Sequence, residues 1–454
     1  MRFLDRQPAV LRSIAVILLL IVSSGLAAPL SGLAAPAGRG SPASTQAVLS
    51  ASDQASVALE TSPHPATQAA PGRPLPFRLG PPRPRQAPPP RPATHTPLQV
   101  AGGLAINEFP LPTTPITNPP NGPEGIAAGP DGDLWFNISF SGQIGRATPA
   151  GAVTVFNLPN VNAGPIDIAR GPDSNLWFAE YGNGNDVFDQ FLGRISPTAP
   201  YTITQYPAPL LGAENAVTTS IYLQLWGVAA GPDGNVWFTE YNNHAIGRMK
   251  TDGTGGVAFS TPLGLTNPTD SPSFQGSYPS EITVGPDGNL WYADEGGDRI
   301  GMVPINVTNS SQIQEFVLNS GAGPCGITAG PDGNVWFAEQ DGDYIGKISL
   351  QPATYGSITY YATPTPMADT NEMTSALGVL WVTEAVPNRI AKVTVDGSFT
   401  EYNIPTAGAD PYGIHLGPDG NVWFTENFGN RIGQIVVAGT NVDLNDLYLP
   451  VIEH

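Results

Sequence analysis

The sequence predicts an all-β protein: a seven-bladed β-propeller of four-stranded antiparallel blades, the last blade completed by an N-terminal strand. Three observations predict it. Seven tryptophans, Trp135, Trp177, Trp237, Trp291, Trp336, Trp381 and Trp423, sit in near-copies of one phrase, G-P-D-G-N-V-W-F-T-E, at steps of 42, 60, 54, 45, 45 and 42 residues. Steps of about 40–45 residues are the period of four-stranded blades, and the longer ones read as loop insertions. Each tryptophan is then followed by an Ile/Leu-Gly/Ala pair ending at Gly145, Gly193, Gly247, Gly301, Gly346, Ala391 or Gly433, ten residues on in six copies and sixteen in the second. Finally, β-branched and aromatic residues dominate, and no run has helical period.

In chain order, Arg2, Arg6 and Arg12 precede a nine-residue apolar run, residues 14–22, with Gly25, Ala27 and Ala28 after it. This is the order of a secretory signal, expected over residues 1–28, and the run is well short of the roughly 20 residues of a spanning helix. Residues 29–103 form an expected disordered linker: between residues 63 and 97 lie 13 prolines, several arginines and no acidic residue. Such a stretch buries too little apolar surface to offset chain entropy.

Residues 104–438 are assigned to the propeller. In the fifth copy, residues 326–329 read as a first strand, Gly330-Pro331-Asp332-Gly333-Asn334 as a tight turn, and residues 335–339 as the antiparallel return. Proline presets φ, Asp bonds the backbone two residues on, and glycine accepts positive φ. Residues 344–349 make a third strand and 358–362 a fourth. The tryptophans are expected between neighbouring blades. The seventh copy lacks a good fourth strand after residues 432–437, and residues 106–112 supply one ahead of the first tryptophan, which ties the ends together and removes exposed sheet edges. A monomer is expected. The tail, residues 439–454, is too short and mixed to span a membrane.

The net charge of -19 hides an asymmetry: residues 1–100 hold nine arginines against Asp5, Asp53 and Glu60, leaving 10 basic and 35 acidic groups of the totals of 19 and 38 for the rest. That excludes nucleic acid, which needs clustered Lys/Arg. A small molecule, or an extracellular glycan or peptide, is the expected partner. Cys325 is alone, so the chain has no internal disulfide.

Because the first two strands form a hairpin, the start of one and the end of the other share a face. Counting along the hairpin sets Glu124 against Asn137, Ile166 against Glu180, Trp226 against Glu240, Ser280 against Asp294, Cys325 against Glu339 and Tyr412 against Glu426, with Glu384 facing a degenerate strand near Thr370. Six copies thus offer a carboxylate. They form an acidic mouth for a cation or cationic ligand, or they serve their own blades by accepting backbone N–H bonds. Residues that break the symmetry, Glu124, Trp226, Cys325 and Tyr412, are the ligand-face candidates beside Glu240, Asp294, Glu339 and Glu384. Histidine is scarce: His64 and His95 lie in the linker, His454 is terminal, His244 is in a loop and His415 in a first strand, where it is expected to pack or hydrogen-bond.

The motifs P-x-G-I, as in Pro324-Cys325-Gly326-Ile327, with G-P-D-G-N, W-F-(T/A)-E, I-G-(R/K) and Glu401-Tyr402-Asn403-Ile404-Pro405, cover about residues 104–437. Together they resemble the streptogramin B lyase family, also called virginiamycin B lyases. The resemblance implies a seven-bladed propeller and Mg²⁺-assisted elimination that opens the ester of a cyclic depsipeptide by breaking a C–O bond without water. It also implies proton-transfer histidines at the x of P-x-G/A-I in the last two blades, assisted by the acid that ends the last W-F-x-E. Glu426 matches that acid. Tyr412 stands at one histidine position, and blade six reads Asp369-Thr370-Asn371-Glu372-Met373-Thr374, without the frame or the histidine. Two readings follow. One is a lyase-like enzyme of altered mechanism, with catalytic Glu426 and Tyr412 and with Glu339 and Glu426 as candidate Mg²⁺ ligands. The other is a secreted, non-catalytic propeller for a glycan, peptide or surface partner.

Overall fold

The computed structural model describes residues 104–112, 122–160, 162–182, 191–209, 224–262 and 276–437. The expected signal, linker and tail lie outside these residues.

The described residues form seven four-stranded antiparallel sheets, and six of them take their strands in chain order. The seventh joins Pro411–Leu416, Val422–Glu426 and Arg431–Val436 to Ala105–Pro110, in register from Ala105 opposite Val436 to Pro110 opposite Arg431. The expected N-terminal closure is therefore present.

Each first turn is chemistry repeated. In blade five Gly333 takes φ 73°, Gly330 accepts from Gly333 N–H and donates its own N–H to Asn334 O, and Asp332 caps Asn334. The same aspartate accepts from Trp336 Nε1 at 2.9 Å. Six tryptophans have this bond, at 2.9–3.1 Å.

The tryptophans fill the inter-blade cores. Trp135 packs on Ile168, Leu176 and Phe178 of the next blade, Trp336 on Met373, Leu380 and Val382, and Trp423 on Ile126, Leu134 and Phe136, which closes the circle. Each ring also stacks on an aromatic of its own fourth strand. For Trp423 that aromatic is Phe109, 5.5 Å away, from the N-terminal strand. A buried aromatic removes about 150–250 Å² from water, and at about 25 cal/mol per Å² seven such residues are a large share of the core.

Candidate functional site

The innermost strands position the axial residues of the site, and they are bulged. In six blades both residues between the first position and the following Ile, Val or Met drop out of the pairing, as with Cys325 and Gly326 between Pro324 and Ile327; in blade two only Ile166 does. A bulge releases side chains from the alternation of the sheet and re-aims them. The second bulge residue is glycine in blades one, three, five and seven, where a Cβ would run into the neighbouring blade: Gly227 faces Ser280 O and Glu281 Cα, and Gly326 faces Asn371 O and Glu372 Cα.

In blades two, four and six the same position carries Asp167, Glu281 and Glu372. One carboxylate oxygen of each lies within 4.8 Å of the others. Asp167 is buried, and the two glutamates are half-buried. Asp167 accepts from Ile168 N–H and Val228 N–H, both at 2.7 Å, and Glu372 from Ile414 N–H at 3.3 Å. Burial pushes Asp167 up to about 6, and burial followed by mutual repulsion pushes Glu281 and Glu372 well above the carboxylate range. Sequence reasoning missed this trio. Its signal was present as P-I-D-I, P-S-E-I and T-N-E-M, three departures from P-x-G-I in alternate blades.

The symmetry-breaking candidates flank the axis. Glu124 is fully buried, accepts from Ser139 Oγ at 2.6 Å and Asn427 Nδ2 at 3.2 Å, and is raised by burial to about 8. Trp226 is 2% exposed; Tyr241 stacks on it at 5.0 Å, Tyr181 meets it edge-on at 5.6 Å, and its Nε1 has no partner. Burial drives the Cys325 thiol well up. Tyr412 is 2% exposed, its hydroxyl has no partner, and burial drives it well above 10.

The acids that end the second strands take a different place. Each lies opposite the first residue of its hairpin, Glu426 opposite Pro411 and Glu240 opposite Leu225, one residue from the counted pairing, because the bulge adds a residue to the first strand. In blade one the equivalent position is Ile138 rather than Asn137. Several acids tuck under their own blade's next turn. Asp294 accepts from Tyr278 N–H at 2.6 Å and Gly297 N–H at 3.0 Å, Glu240 accepts from Asn243 Nδ2, and a Cβ at Gly342 or Gly429 would strike Glu339 or Glu426. Burial raises Glu240, Glu339, Glu384 and Glu426 to about 8 and Asp294 to about 7. Glu339 faces Asp298 and Asp343, Glu384 faces Glu401 and Arg389, and Glu426 faces Glu108 and Arg431. Glu339 and Glu426 are thus held beneath the turns of blades five and seven, and among the described residues neither belongs to a cluster of three metal-ligating side chains.

Neither described interior histidine reaches these groups. His415 lies opposite Trp423 and donates from Nδ1 to Leu416 O at 2.8 Å, and burial lowers its pKa. His244 touches Ser277 O and meets Tyr278 edge-on at 5.1 Å. It ends an aromatic shelf, Tyr181–Trp226–Tyr241–Tyr278–His244, with ring centroids 5.0–5.6 Å apart across blades two to four.

Residues 113–301 and 273–450 match the model of the virginiamycin B lyase family. Curated virginiamycin B lyases match over short segments: that of Saccharopolyspora erythraea at 49% identity over 43 residues, 10% of this chain and 14% of the relative, and that of Bordetella parapertussis at 37% over 57 residues, 13% and 19%. Among solved structures, a streptogramin B lyase superposes with a TM-score of 0.60 at 31% identity, covering 73% of this chain and 97% of its own. A catalytically inactive virginiamycin B lyase from Staphylococcus aureus, crystallised with quinupristin, gives 0.59 at 30%, covering 74% and 100%. Hydrazine synthase of Kuenenia stuttgartiensis, at 14% identity and 0.54, covers 72% and 99% and shares the fold alone. The blade count, the repeated motifs and these matches agree, and the chain belongs to the virginiamycin B lyase family.

Proposed function

We propose that this protein is an exported, ligand-binding member of its family that does not perform the histidine-driven elimination of the lyases. One observation carries this: the two positions for proton-transfer histidines hold groups that cannot move a proton at neutral pH. Tyr412 is a buried phenol whose pKa lies well above 10, so no useful fraction is ionised. Asn371 does not titrate, and its amide is committed, donating to Pro411 O at 3.1 Å and accepting from Gln340 Nε2 at 2.9 Å. Mg²⁺ would supply Lewis-acid polarisation of the scissile ester in a lyase, with Glu339 and Glu426 as its candidate ligands, and the elimination would still need a group to take the proton.

The aromatic shelf supports the binding reading. Tyr181, Tyr278 and His244 are half-buried, so their rings keep accessible area, while Trp226 and Tyr241 stiffen the shelf from beneath. Aromatic platforms suit ring-bearing ligands without anionic groups, such as a short neutral glycan or a cyclic peptide, and the acidic balance disfavours anions.

The test is incubation of the purified protein with a streptogramin B and with neutral oligosaccharides, each with Mg²⁺, followed by mass spectrometry for ring opening and by tryptophan fluorescence for binding. Saturable quenching without ring opening is expected, weakened about tenfold by Tyr278→Ala. Ring opening above the blank would sink the proposal, most directly if Glu426→Gln abolished it.

A further inference from the structure

We propose that the carboxylates of Asp167, Glu281 and Glu372 form a structural Ca²⁺ site on the propeller axis, with ligands other than Glu339 and Glu426 and other than the residues of the aromatic shelf. These residues come from blades two, four and six, at the one bulge position that is glycine in the other four blades. Their ligand oxygens lie within 4.8 Å of one another. Oxygens bind Ca²⁺ at about 2.3–2.6 Å, so two ligands on opposite sides of the ion stand about 4.8 Å apart. Mg²⁺, with bonds of about 2.0–2.1 Å, needs at most about 4.2 Å and a stricter octahedron. A separation within 4.8 Å accommodates either ion, and Ca²⁺, which tolerates irregular coordination, is the less demanding of the two.

A second feature points into the same place. Tyr412 is rooted in blade seven, yet its phenol lies in the field of Cys325, Glu372, Glu124 and Glu281, from blades five, six, one and four. A phenol on which both Glu281 and Glu372 act, from blades four and six, lies on the axial side of blade seven. It is 2% exposed and its hydroxyl has no partner, a donor suited to a water held by the ion. Glu281 Oε1 and Glu372 Oε1 also lack partners. The ion pairs of the described residues, among them Arg146 with Asp131, Arg248 with Asp233 and Lys347 with Asp332, place the cation on a third strand, away from the axis. Three carboxylates without a basic partner take up a cation or retain protons.

The distinguishing experiment is calorimetric titration of EDTA-treated full-length protein with CaCl₂ and, separately, MgCl₂, together with thermal unfolding. One Ca²⁺ per chain is expected, with a dissociation constant of about 10⁻⁴ M or tighter, a weaker response to Mg²⁺ and a raised Tm. Glu281→Gln and Glu372→Gln should each weaken Ca²⁺ binding at least tenfold, while Glu426→Gln binds as wild type. If a Gln variant fails to fold, terbium emission excited through the protein's aromatics, displaced by Ca²⁺, reads the site in the unaltered chain. No Ca²⁺ heat, Tm shift or terbium signal at millimolar metal overturns the inference and leaves a proton-sharing cluster. Binding lost in Glu426→Gln but kept in both axial variants overturns it too, by moving the ion elsewhere. The ring-opening assay reads neither result, so this inference and the proposed function fail independently.

Discussion

Six of the seven second strands follow their tryptophan with Phe or Tyr, and the glycine paired with that ring lies flat against it. Any Cβ at Gly145, Gly193, Gly247, Gly301, Gly346 or Gly433 would enter the ring of Phe136, Phe178, Phe238, Tyr292, Phe337 or Phe424. Blade six exchanges both partners. Val382 replaces the aromatic, and Ala391, its cross-strand partner, fills the space released. In the sequence Ala391 is a lone deviation; paired with Val382 it is a volume-conserving swap. Gly346→Ala should therefore cost about 1–3 kcal/mol in urea unfolding, and Val382→Phe a similar amount alone, with Val382→Phe/Ala391→Gly recovering most of the loss. Additive losses in the double variant would refute this coupling. Blade six also lacks the G-P-D-G aspartate, and Trp381 Nε1 accordingly has no partner. The motif's absence was legible; its cost to one indole N–H was not.

At the scale of the element, the bulged first strand decides what the site can be. Its freed N–H and C=O groups need partners, and in blades three, six and seven a second-strand threonine supplies them. Thr425 Oγ1 accepts from Gly413 N–H at 2.8 Å and donates to Glu124 O of the next blade at 2.6 Å. Thr239 and Thr383 bridge to Ser280 O and Tyr412 O in the same way. Thr425→Val keeps the shape and leaves both backbone groups unpaired, so a loss of about 1–3 kcal/mol is expected in denaturant unfolding. A change within a few tenths of a kcal/mol would show that water replaces the latch. The bulge also explains why counting residues along the hairpin paired Glu426 with Tyr412 when it faces Pro411. Its position follows from contact between neighbouring backbones, at Gly413 against Glu124 O for example, which no single hairpin encodes.

For the whole molecule, closure and charge set the stability. Glu124, Glu240, Glu339, Glu384 and Glu426 rise from 4.5 to about 8 in the folded state, and burial is the leading cause for each. A raised acid keeps its proton in the native state after the unfolded chain has lost it. The stability these five acids contribute is thus fully present below about pH 4.5, declines as pH rises toward 8, and is lost above that. Thermal unfolding in EDTA should give a lower Tm at pH 8 than at pH 5, and a Tm rising with pH across this interval would show that these carboxyls are solvated or paired with cations.

The number of blades, their strand order and the closure by residues 105–110 were legible because each depends on short-range patterns: turn chemistry, alternation and a repeated phrase. The residues that meet on the axis were not. Asp167, Glu281 and Glu372 are distant in the chain, and only the ring brings their carboxylates within 4.8 Å. Local sequence dictates the blade because its partners are neighbours in the chain. The axis is decided by tertiary structure, because its geometry exists only after every blade has packed against the next.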